Sequence, residues 1–362
     1  MKSYNHLWEK YLSEDNFYLA VHNALRRKNG KKSKYGTVQR FKANIDIHKA
    51  EFLEYAANFK NAKHTPKIIN DGIRRKQRQI LVPTMSEQVV HHMIVNTLQP
   101  IFMKGMYEHS YGSIPGRGAH LAKSRLERWI RHDKKNFKYF LKLDIKKYFD
   151  SIPHDILKNK FRMLIHDEKF LGLLFEVIDV IPGNRGIPIG FYTSQWIANW
   201  YLQELDHYIK EDLKAVYYIR YMDDMVIAGP NKRELHRIRI LIEEYLNKNL
   251  GLQLKENWQV FKFDYDGKGR ALDFMGFRFF RIRTVLRKSI LIKAARKARR
   301  IRKSKNIYTV RQMLSYLGWI DCTDTYGWYR RNIKPYISFR ALRLYVGRWE
   351  RKHNREILLN VV

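Results

Sequence analysis

Runs of β-prone apolar residues predict three strands in the middle of the chain. Residues 137–143 alternate imperfectly between apolar and polar side chains, as a half-buried strand does. Residues 216–220 and 225–228 form two further runs, and the four residues between them, 221–224, read Tyr-Met-Asp-Asp. Two strand-like runs so close together predict a hairpin whose tight turn pushes both acids out at its tip.

Apolar residues at helical spacing predict helices on either side of these strands. Residues 87–102 give the best-supported helix. Ser86 is its expected N-cap, and because Val89 rather than Glu or Gln stands three positions later, no capping box is expected. Beyond the strands, three more helices are predicted, at residues 281–305, 310–320 and 337–349.

Asp144 follows the first predicted strand and adds a third carboxylate to those of Asp223 and Asp224. A strand ending in Asp144, laid beside the hairpin, would gather all three at one edge of a sheet. Acids held so close together repel one another and stay ionised where cations neutralise them. Mg²⁺ takes carboxylate oxygens and leaves positions free for substrate phosphates. Two such ions, about 3.5–4 Å apart, would serve an attacking 3′-hydroxyl and a leaving pyrophosphate.

Each acid taken singly also has a structural interpretation. An Asp-Asp pair is most often a solvated turn. Asp144 could cap the turn that follows it, with Lys146 and Lys147 as its partners. The three acids as a set, flanked by strand-forming residues, favour catalysis.

The charge of the chain favours a polyanionic partner. The chain has 362 residues, 45% of them hydrophobic, and can bury a substantial core. Its 70 Lys and Arg residues against 35 Asp and Glu give a formal charge of +35, which suits a nucleic-acid backbone. An anionic membrane surface is the competing partner, but there is no run of about 18 apolar residues and no apolar signal core at the start. The single cysteine, Cys322, excludes an internal disulfide or multi-cysteine zinc site and suits a reducing cytoplasm.

Two segments concentrate the basic residues. Residues 26–42 hold eight basic residues and no acid, which predicts either a basic arm or an ordinary solvated surface. Residues 281–305 hold twelve basic residues and no acid, with apolar residues among them. This second pattern predicts a basic helix that packs on one side and presents the other to the phosphates of a duplex.

The order of these features resembles that of bacterial reverse transcriptases. A strand ending in Asp144 precedes Phe149, a loop at 186–195 that contains Gly, Ser and Gln, the Tyr-Met-Asp-Asp turn, and Leu-Asp-Phe-Met-Gly at 272–276. The resemblance covers most of the chain, from about residue 74 to residue 276.

This resemblance implies an α+β right-hand polymerase. It places fingers with a basic N-terminal arm at 1–135, a palm of antiparallel sheet plus helices at 136–280, and a basic helical thumb at 281–362.

The resemblance also implies roles for the acidic cluster. Asp144, Asp223 and Asp224, with the backbone carbonyl of Ile145, would hold Mg²⁺. Lys255 falls in a region where the family often carries a lysine that donates a proton to the leaving pyrophosphate. The sequence itself favours a surface lysine as the interpretation of Lys255.

Further residues are implied to contact the nucleotide. Lys76 and Arg78 would lie near the incoming triphosphate, and an arginine fork matches phosphate oxygens. Phe149 would be an aromatic gate that leaves no room for a 2′-hydroxyl, although a core phenylalanine is a second interpretation. Gly190 and Gln195 would lie at the nascent base pair, where a Gly-containing loop permits close backbone approach; an ordinary connecting loop is the alternative.

The finer pattern resembles reverse transcriptases of diversity-generating retroelements. Most reverse transcriptases carry Gln-Gly followed by Ser-Pro in this loop, whereas the chain has Ile189-Gly190 and Ser194-Gln195. The resemblance implies error-prone synthesis of complementary DNA from a template RNA, for mutagenic retrohoming. It also implies binding of the RNA/DNA duplex and deoxynucleoside triphosphates, and a small, basic, helical accessory protein.

Two alternatives stay open at this point. One is a reverse transcriptase of another bacterial lineage: group II intron-derived, retron or phage-defence. The other is a catalytically silent RNA-binding protein on a polymerase scaffold, although the three acids are intact.

Overall fold

A computed structural model describes residues 3–25, 44–71, 76–263 and 269–359 of the chain. The predicted basic arm at 26–42 lies outside the described residues. The chain divides into two compact units. The first contains the described residues of Met1–Gly118, Leu141–Ile227 and Arg233–Gln259, and the second contains those of Ala119–Phe140, Ala228–Lys232 and Val260–Val362.

Helices make up most of the described residues. In chain order they are α1 (Leu7–Tyr11), α2 (Glu14–Leu25), α3 (Lys49–Ala57), α4 (Met85–Lys104), α5 (Ala119–His132), α6 (Tyr148–Ser151), α7 (His154–Leu164), α8 (Glu168–Ile178), α9 (Tyr192–Tyr201), α10 (Gln203–His207), α11 (Lys232–Leu250), α12 (Lys288–Lys303), α13 (Ile307–Asp321), α14 (Tyr326–Asn332) and α15 (Phe339–Leu359). A π-helical turn, Tyr208–Asp212, extends α10.

The strands of the described ranges form three sheets. They are β1 (Lys67–Asp71), β2 (Lys76–Ile80), β3 (Tyr139–Asp144), β4 (Tyr217–Tyr221), β5 (Asp224–Gly229), β6 (Gln259–Lys262), β7 (Leu272–Phe274), β8 (Phe277–Phe279) and β9 (Thr284–Leu286). β1 and β2 form an antiparallel pair, and β7, β8 and β9 form an antiparallel sheet. The largest sheet has the order β4-β5-β3-β6. The predicted α+β class is therefore confirmed, and the architecture is consistent with a right-hand polymerase.

The start of α4 differs from the sequence expectation. Thr84, not Ser86, is the N-cap: its hydroxyl accepts a hydrogen bond from the backbone N–H of Glu87, and the Glu87 carboxylate accepts one from the N–H of Thr84. This is a complete capping box, which satisfies two N–H groups that a helix start leaves unpaired. The expectation was wrong because the helix begins two residues earlier than its apolar pattern suggested.

α4 is the central support of the first unit. Its apolar residues Val89, Val90, Met93 and Ile94 are completely buried, and the helix packs against α2 and α9. Burial of a side chain of this size contributes about 1.5–3 kcal/mol. Since α9 follows the Gly-containing loop directly, this packing fixes the loop at one end.

The second unit corrects the prediction of one basic helix over residues 281–305. Residues Thr284–Leu286 form strand β9, and α12 begins only at Lys288. The backbone N–H of Thr284 donates to the Asp324 carboxylate at 2.8 Å, and the Asp324 N–H donates to the Thr284 carbonyl at 2.8 Å. β9 also pairs with β8, so sheet formation takes these residues out of the helix.

Candidate active site

The central sheet brings the predicted acids to one edge. β3 ends at Asp144 and lies beside β5, which begins at Asp224. The turn between β4 and β5 is Met222-Asp223, with Met222 in the left-handed region at φ 56°. Asp223 is therefore at the tip of the hairpin, whereas Asp224 is already part of the strand. The expectation that both acids stand at the tip was wrong for Asp224.

Asp144 and Asp223 are close enough for their charges to interact. Burial, followed by the charge of Asp144, raises the pKa of Asp223 to about 6. Burial also raises the pKa of Asp224 to about 7; Lys142 opposes the rise, while Asp144 and Asp223 add to it. The three acids therefore form one electrostatic cluster, and their negative charge is only partly compensated.

Two lysines supply this partial compensation. The Nζ of Lys255 lies 2.5 Å from Oδ1 of Asp144, and the Lys255 backbone N–H donates to the Asp144 carbonyl at 2.8 Å. The Nζ of Lys142 lies 3.5 Å from Oδ2 of Asp224. The Lys255 side chain is about one-third exposed, and its role as a proton donor stays a prediction. The alternative pairing of Asp144 with its sequence neighbours was wrong, because its ion-pair partner is Lys255.

The donor set fits a hard divalent cation. Carboxylate oxygens are the ligands that Mg²⁺ takes, and no hydrogen-bond donor among the described residues reaches the buried Oδ1 of Asp224. Within the same described ranges, no three His, Cys, Asp or Glu side chains are already arranged to hold a metal ion. Lys255 and Lys142 occupy oxygens that a cation would need. Ile145, the fourth predicted ligand, is completely buried and forms a β-bridge with Leu254.

Phe149 lies next to the loop that follows α8. It is half-buried in the short helix α6, and its carbonyl accepts a hydrogen bond from the Ile187 N–H at 2.8 Å. Its neighbour Tyr148 is completely buried, and its hydroxyl donates to the Ala198 carbonyl at 2.5 Å. Tyr148 thus provides the core contact, which leaves the ring of Phe149 partly exposed. Its role as a sugar gate remains a prediction.

Gly190 has a structural reason to be glycine. Its φ is +118°, and a Cβ there would stand 2.0 Å from the Leu81 carbonyl oxygen. The Leu81 N–H also donates to the Ile189 carbonyl at 2.8 Å, so the loop is in direct contact with the chain that follows β2. The loop therefore does approach another backbone closely. Within the described structure, that backbone is the protein's own segment at Leu81.

Gly190 and Gln195 line a common cavity of about 320 Å³, together with Leu81, His91 and Tyr192. Gln195 is exposed on α9. A larger cavity of about 910 Å³ is lined by residues between positions 180 and 189, a range that includes the first part of the loop.

Lys76 and Arg78 are on β2, in the hairpin with β1. Arg78 is exposed and does not line either of the two cavities. Their proximity to a triphosphate stays a prediction.

The two histidines of α4 pack against aromatic residues that follow Gly190. His91 is completely buried, and its ring lies 4.4 Å from that of Phe191. His92 is half-buried against Tyr192, with ring centroids 4.2 Å apart.

The sequence analysis missed Lys142 and Arg220, which both contact this site. Lys142 pairs with Asp224, and Arg220 is completely buried beneath the turn. Each is a basic residue within a predicted strand, and that pattern alone does not identify its partner.

Comparison with known proteins agrees with this geometry. Residues 62–279, more than half of the chain, match the family described as reverse transcriptase (RNA-dependent DNA polymerase). The chain therefore belongs to the reverse transcriptase family. None of the helices in the described ranges is both long and apolar enough to cross a bilayer.

Similar curated proteins come from introns and retrons. An uncharacterized 91 kDa protein in the cob intron of Schizosaccharomyces pombe is 26% identical over 222 residues, which are 58% of this chain and 26% of that protein. The retron Ec73 reverse transcriptase of Escherichia coli is 26% identical over 199 residues, 51% of this chain and 59% of that enzyme. The apo telomerase structure of Candida tropicalis aligns with a TM-score of 0.47 at 14% identity, covering 67% of this chain and 59% of that one.

Proposed function

We propose that this chain is an RNA-directed DNA polymerase that adds deoxynucleotides to a primer on a template RNA. The observation that carries the proposal is the convergence of Asp144, Asp223 and Asp224 at one edge of the central sheet, inside the region that matches the reverse transcriptase family. Fingers, palm and thumb would correspond to residues 1–135, 136–280 and 281–362.

The acids Asp144, Asp223 and Asp224, with the Ile145 carbonyl, would hold Mg²⁺. When bound, Mg²⁺ supplies activation of the attacking hydroxyl and neutralisation of the charge that develops on pyrophosphate. Lys255, whose Nζ lies 2.5 Å from Oδ1 of Asp144, would donate a proton to the pyrophosphate as it leaves.

The remaining residues orient the nucleotide. Phe149 would pack against the deoxyribose and exclude a 2′-hydroxyl. Lys76 and Arg78 would bind the triphosphate, because a lysine ammonium and an arginine fork both match its oxygens. Gly190 and Gln195 would contact the nascent base pair from the cavity that they share.

A primer-extension assay on RNA tests the activity. The chain, purified with its template RNA and any accessory protein, should extend a DNA primer in the presence of Mg²⁺. Replacement of both Asp223 and Asp224 by Ala should abolish extension and leave RNA binding intact. A double variant that retained the full biological function would instead support a catalytically silent RNA-binding protein.

We further propose that the enzyme serves a diversity-generating retroelement. Ile189-Gly190 and Ser194-Gln195, in place of Gln-Gly and Ser-Pro, support this assignment. The template would be a structured RNA, and the product an error-prone complementary DNA for mutagenic retrohoming. A small, basic, helical accessory protein would help the enzyme grip the RNA, and the enzyme would act in the cytoplasm. Sequencing of the product tests it: errors should concentrate opposite template adenines.

A reverse transcriptase of another bacterial lineage is the second candidate, since similar proteins include a retron enzyme and an intron protein. The DNA around the gene separates the two candidates. A pair of near-identical repeats that differ at adenines supports the retroelement, whereas an intron or retron RNA beside the gene supports the second candidate.

A further inference from the structure

The guanidinium of Arg220 is completely buried beneath the Met222-Asp223 turn. Its Nε and Nη2 donate to the two carboxylate oxygens of Asp206, at 2.7 and 2.5 Å. Its Nη1 donates to the Met222 carbonyl at 3.0 Å and to Oδ1 of Asn199 at 3.2 Å, and Nη2 also donates to the Asn199 carbonyl at 3.3 Å. Arginine has five N–H donors in a rigid fork. All five are used, so the side chain has one orientation.

Asp206 fixes this orientation from the far side. It is completely buried and also accepts a hydrogen bond from the Tyr218 hydroxyl at 2.6 Å. Because both of its oxygens are bound to Arg220, the pair is close to electrically neutral. Arg220 therefore acts on the turn through the geometry of its hydrogen bonds rather than through net charge.

The hydrogen bond from Arg220 to the Met222 carbonyl links the buried network to the turn. The carbonyl that accepts it belongs to the peptide group that joins Met222 to Asp223, so its orientation sets the direction in which Asp223 leaves the turn. Met222 is also left-handed, at φ 56°. A non-glycine residue persists in that conformation only where its surroundings impose it.

The opposite side of the turn is equally constrained. A Cβ on Gly112 would stand 2.7 Å from the backbone nitrogen of Met222. Nδ2 of Asn199 donates to the Gly112 carbonyl at 2.7 Å and contacts the sulfur of Met222 at 3.4 Å. The turn is thus held between a close backbone contact and the arginine network.

We propose that Arg220, held by Asp206 and Asn199, is a positioning residue that sets the direction of the Asp223 carboxylate toward a bound divalent cation. This inference rests on the proposed polymerase function. The buried network would form an outer shell around the metal site, where a fixed hydrogen bond orients one of the metal ligands.

The test is Arg220→Lys, which keeps the charge and loses the fork. Metal binding is measured by Mn²⁺ electron paramagnetic resonance on the full chain bound to primed RNA, with a chain-terminated primer and a deoxynucleotide. We expect Mn²⁺ affinity to fall about 10- to 100-fold, as loss of an outer-shell partner does. With an extendable primer, turnover should fall by about 100-fold, and the dissociation constant for primed RNA should stay unchanged.

Gly112→Ala is the second variant, since it displaces Met222 without touching the ion pair. It should weaken Mn²⁺ binding in the same way, and it decides the question if Arg220→Lys does not fold. The matched control is the double variant Lys123→Met, Glu127→Leu. This removes another ion pair with little exposure, at 2.8 Å in α5, and should leave Mn²⁺ binding unchanged.

The outcomes separate this inference from the function on which it rests. A wild-type chain that neither binds Mn²⁺ in the primed complex nor makes DNA refutes the proposed function. A wild-type chain that does both, with Arg220→Lys and Gly112→Ala equal to it in Mn²⁺ affinity and turnover, overturns the positioning role alone. Variants that melt at lower temperature but bind Mn²⁺ normally would also overturn it, because they show a purely structural network.

Discussion

Lys255 and Asp144 are joined twice, by an ion pair of 2.5 Å and by a backbone hydrogen bond of 2.8 Å, although 111 positions separate them. The backbone bond fixes the register of the Lys255 segment against the end of β3. The side chain is only about one-third exposed, so its position is set by the protein before any substrate binds. A side chain held in this way can deliver a proton to one defined oxygen atom of a substrate.

Lys255→Met should therefore lower the turnover of primer extension by about 100-fold, the lower end of what a general acid contributes. Lys255→Arg should retain part of the activity, since it keeps the ion pair but releases its proton with more difficulty. Lys248→Met, at an exposed position of α11, is the control and should extend primers normally. Normal single-turnover rates in Lys255→Met would remove Lys255 from the mechanism.

Phe149→Ala should relax the choice of sugar. The backbone of Phe149 is held beside the loop by the hydrogen bond from the Ile187 N–H to the Phe149 carbonyl, which the substitution leaves in place. We expect the preference for deoxy- over ribonucleotides, measured as the ratio of kcat/KM values, to fall by at least about 10-fold. Phe149→Tyr keeps the ring and should keep the preference. An unchanged ratio in Phe149→Ala would show that the residue is a core phenylalanine and not a gate.

Local patterns in the sequence predicted the strand that ends at Asp144, the hairpin of β4 and β5, and the helix α4. These elements depend on residues close together in the chain. The partner of Asp144 could not be found in this way, because Lys255 reaches it through the fold. The buried role of Arg220 was equally hidden: one arginine in an aromatic strand reveals nothing about Asp206, which lies on a separate helix.

The helix start shows a different limit. Thr84 and Glu87 have the spacing of a capping box, so the signal was present in the sequence. It was missed because the apolar pattern of α4 becomes clear only after residue 86. The helix prediction for residues 281–287 failed for the opposite reason. Their charge pattern continues into α12, whereas the backbone of Thr284–Leu286 pairs with β8.

Gly190→Ala should destabilise the fold. Its Cβ would meet the Leu81 carbonyl at 2.0 Å, and the positive φ adds strain. Gly183 is the matched control, because its φ is +100° but a Cβ there would meet nothing within 4 Å. Gly183→Ala should cost about 1–3 kcal/mol for the backbone alone, and Gly190→Ala should cost more. Urea denaturation measures both, and equal losses would show that the loop moves away from Leu81 freely.

The stability of the first unit should depend on pH through His91. Burial lowers the pKa of His91 to about 3, and the charge of Glu87 opposes this only in part. The ring packs against Phe191, its Nδ1 lies 3.2 Å from the Thr193 hydroxyl, and no partner for its Nε2 is found among the described residues. The folded chain therefore keeps this histidine neutral.

In the unfolded chain the pKa of a histidine is about 6.5. Below that value the unfolded state takes up a proton that the folded state refuses, so stability is lost as the pH falls from about 6.5 toward 3, by about 1.4 kcal/mol per pH unit for this group. Urea denaturation of wild type and His91→Phe between pH 7 and pH 4.5 measures the difference. The variant should lose less stability than wild type on acidification. Parallel curves for wild type and His91→Phe would show that His91 becomes protonated within the folded chain.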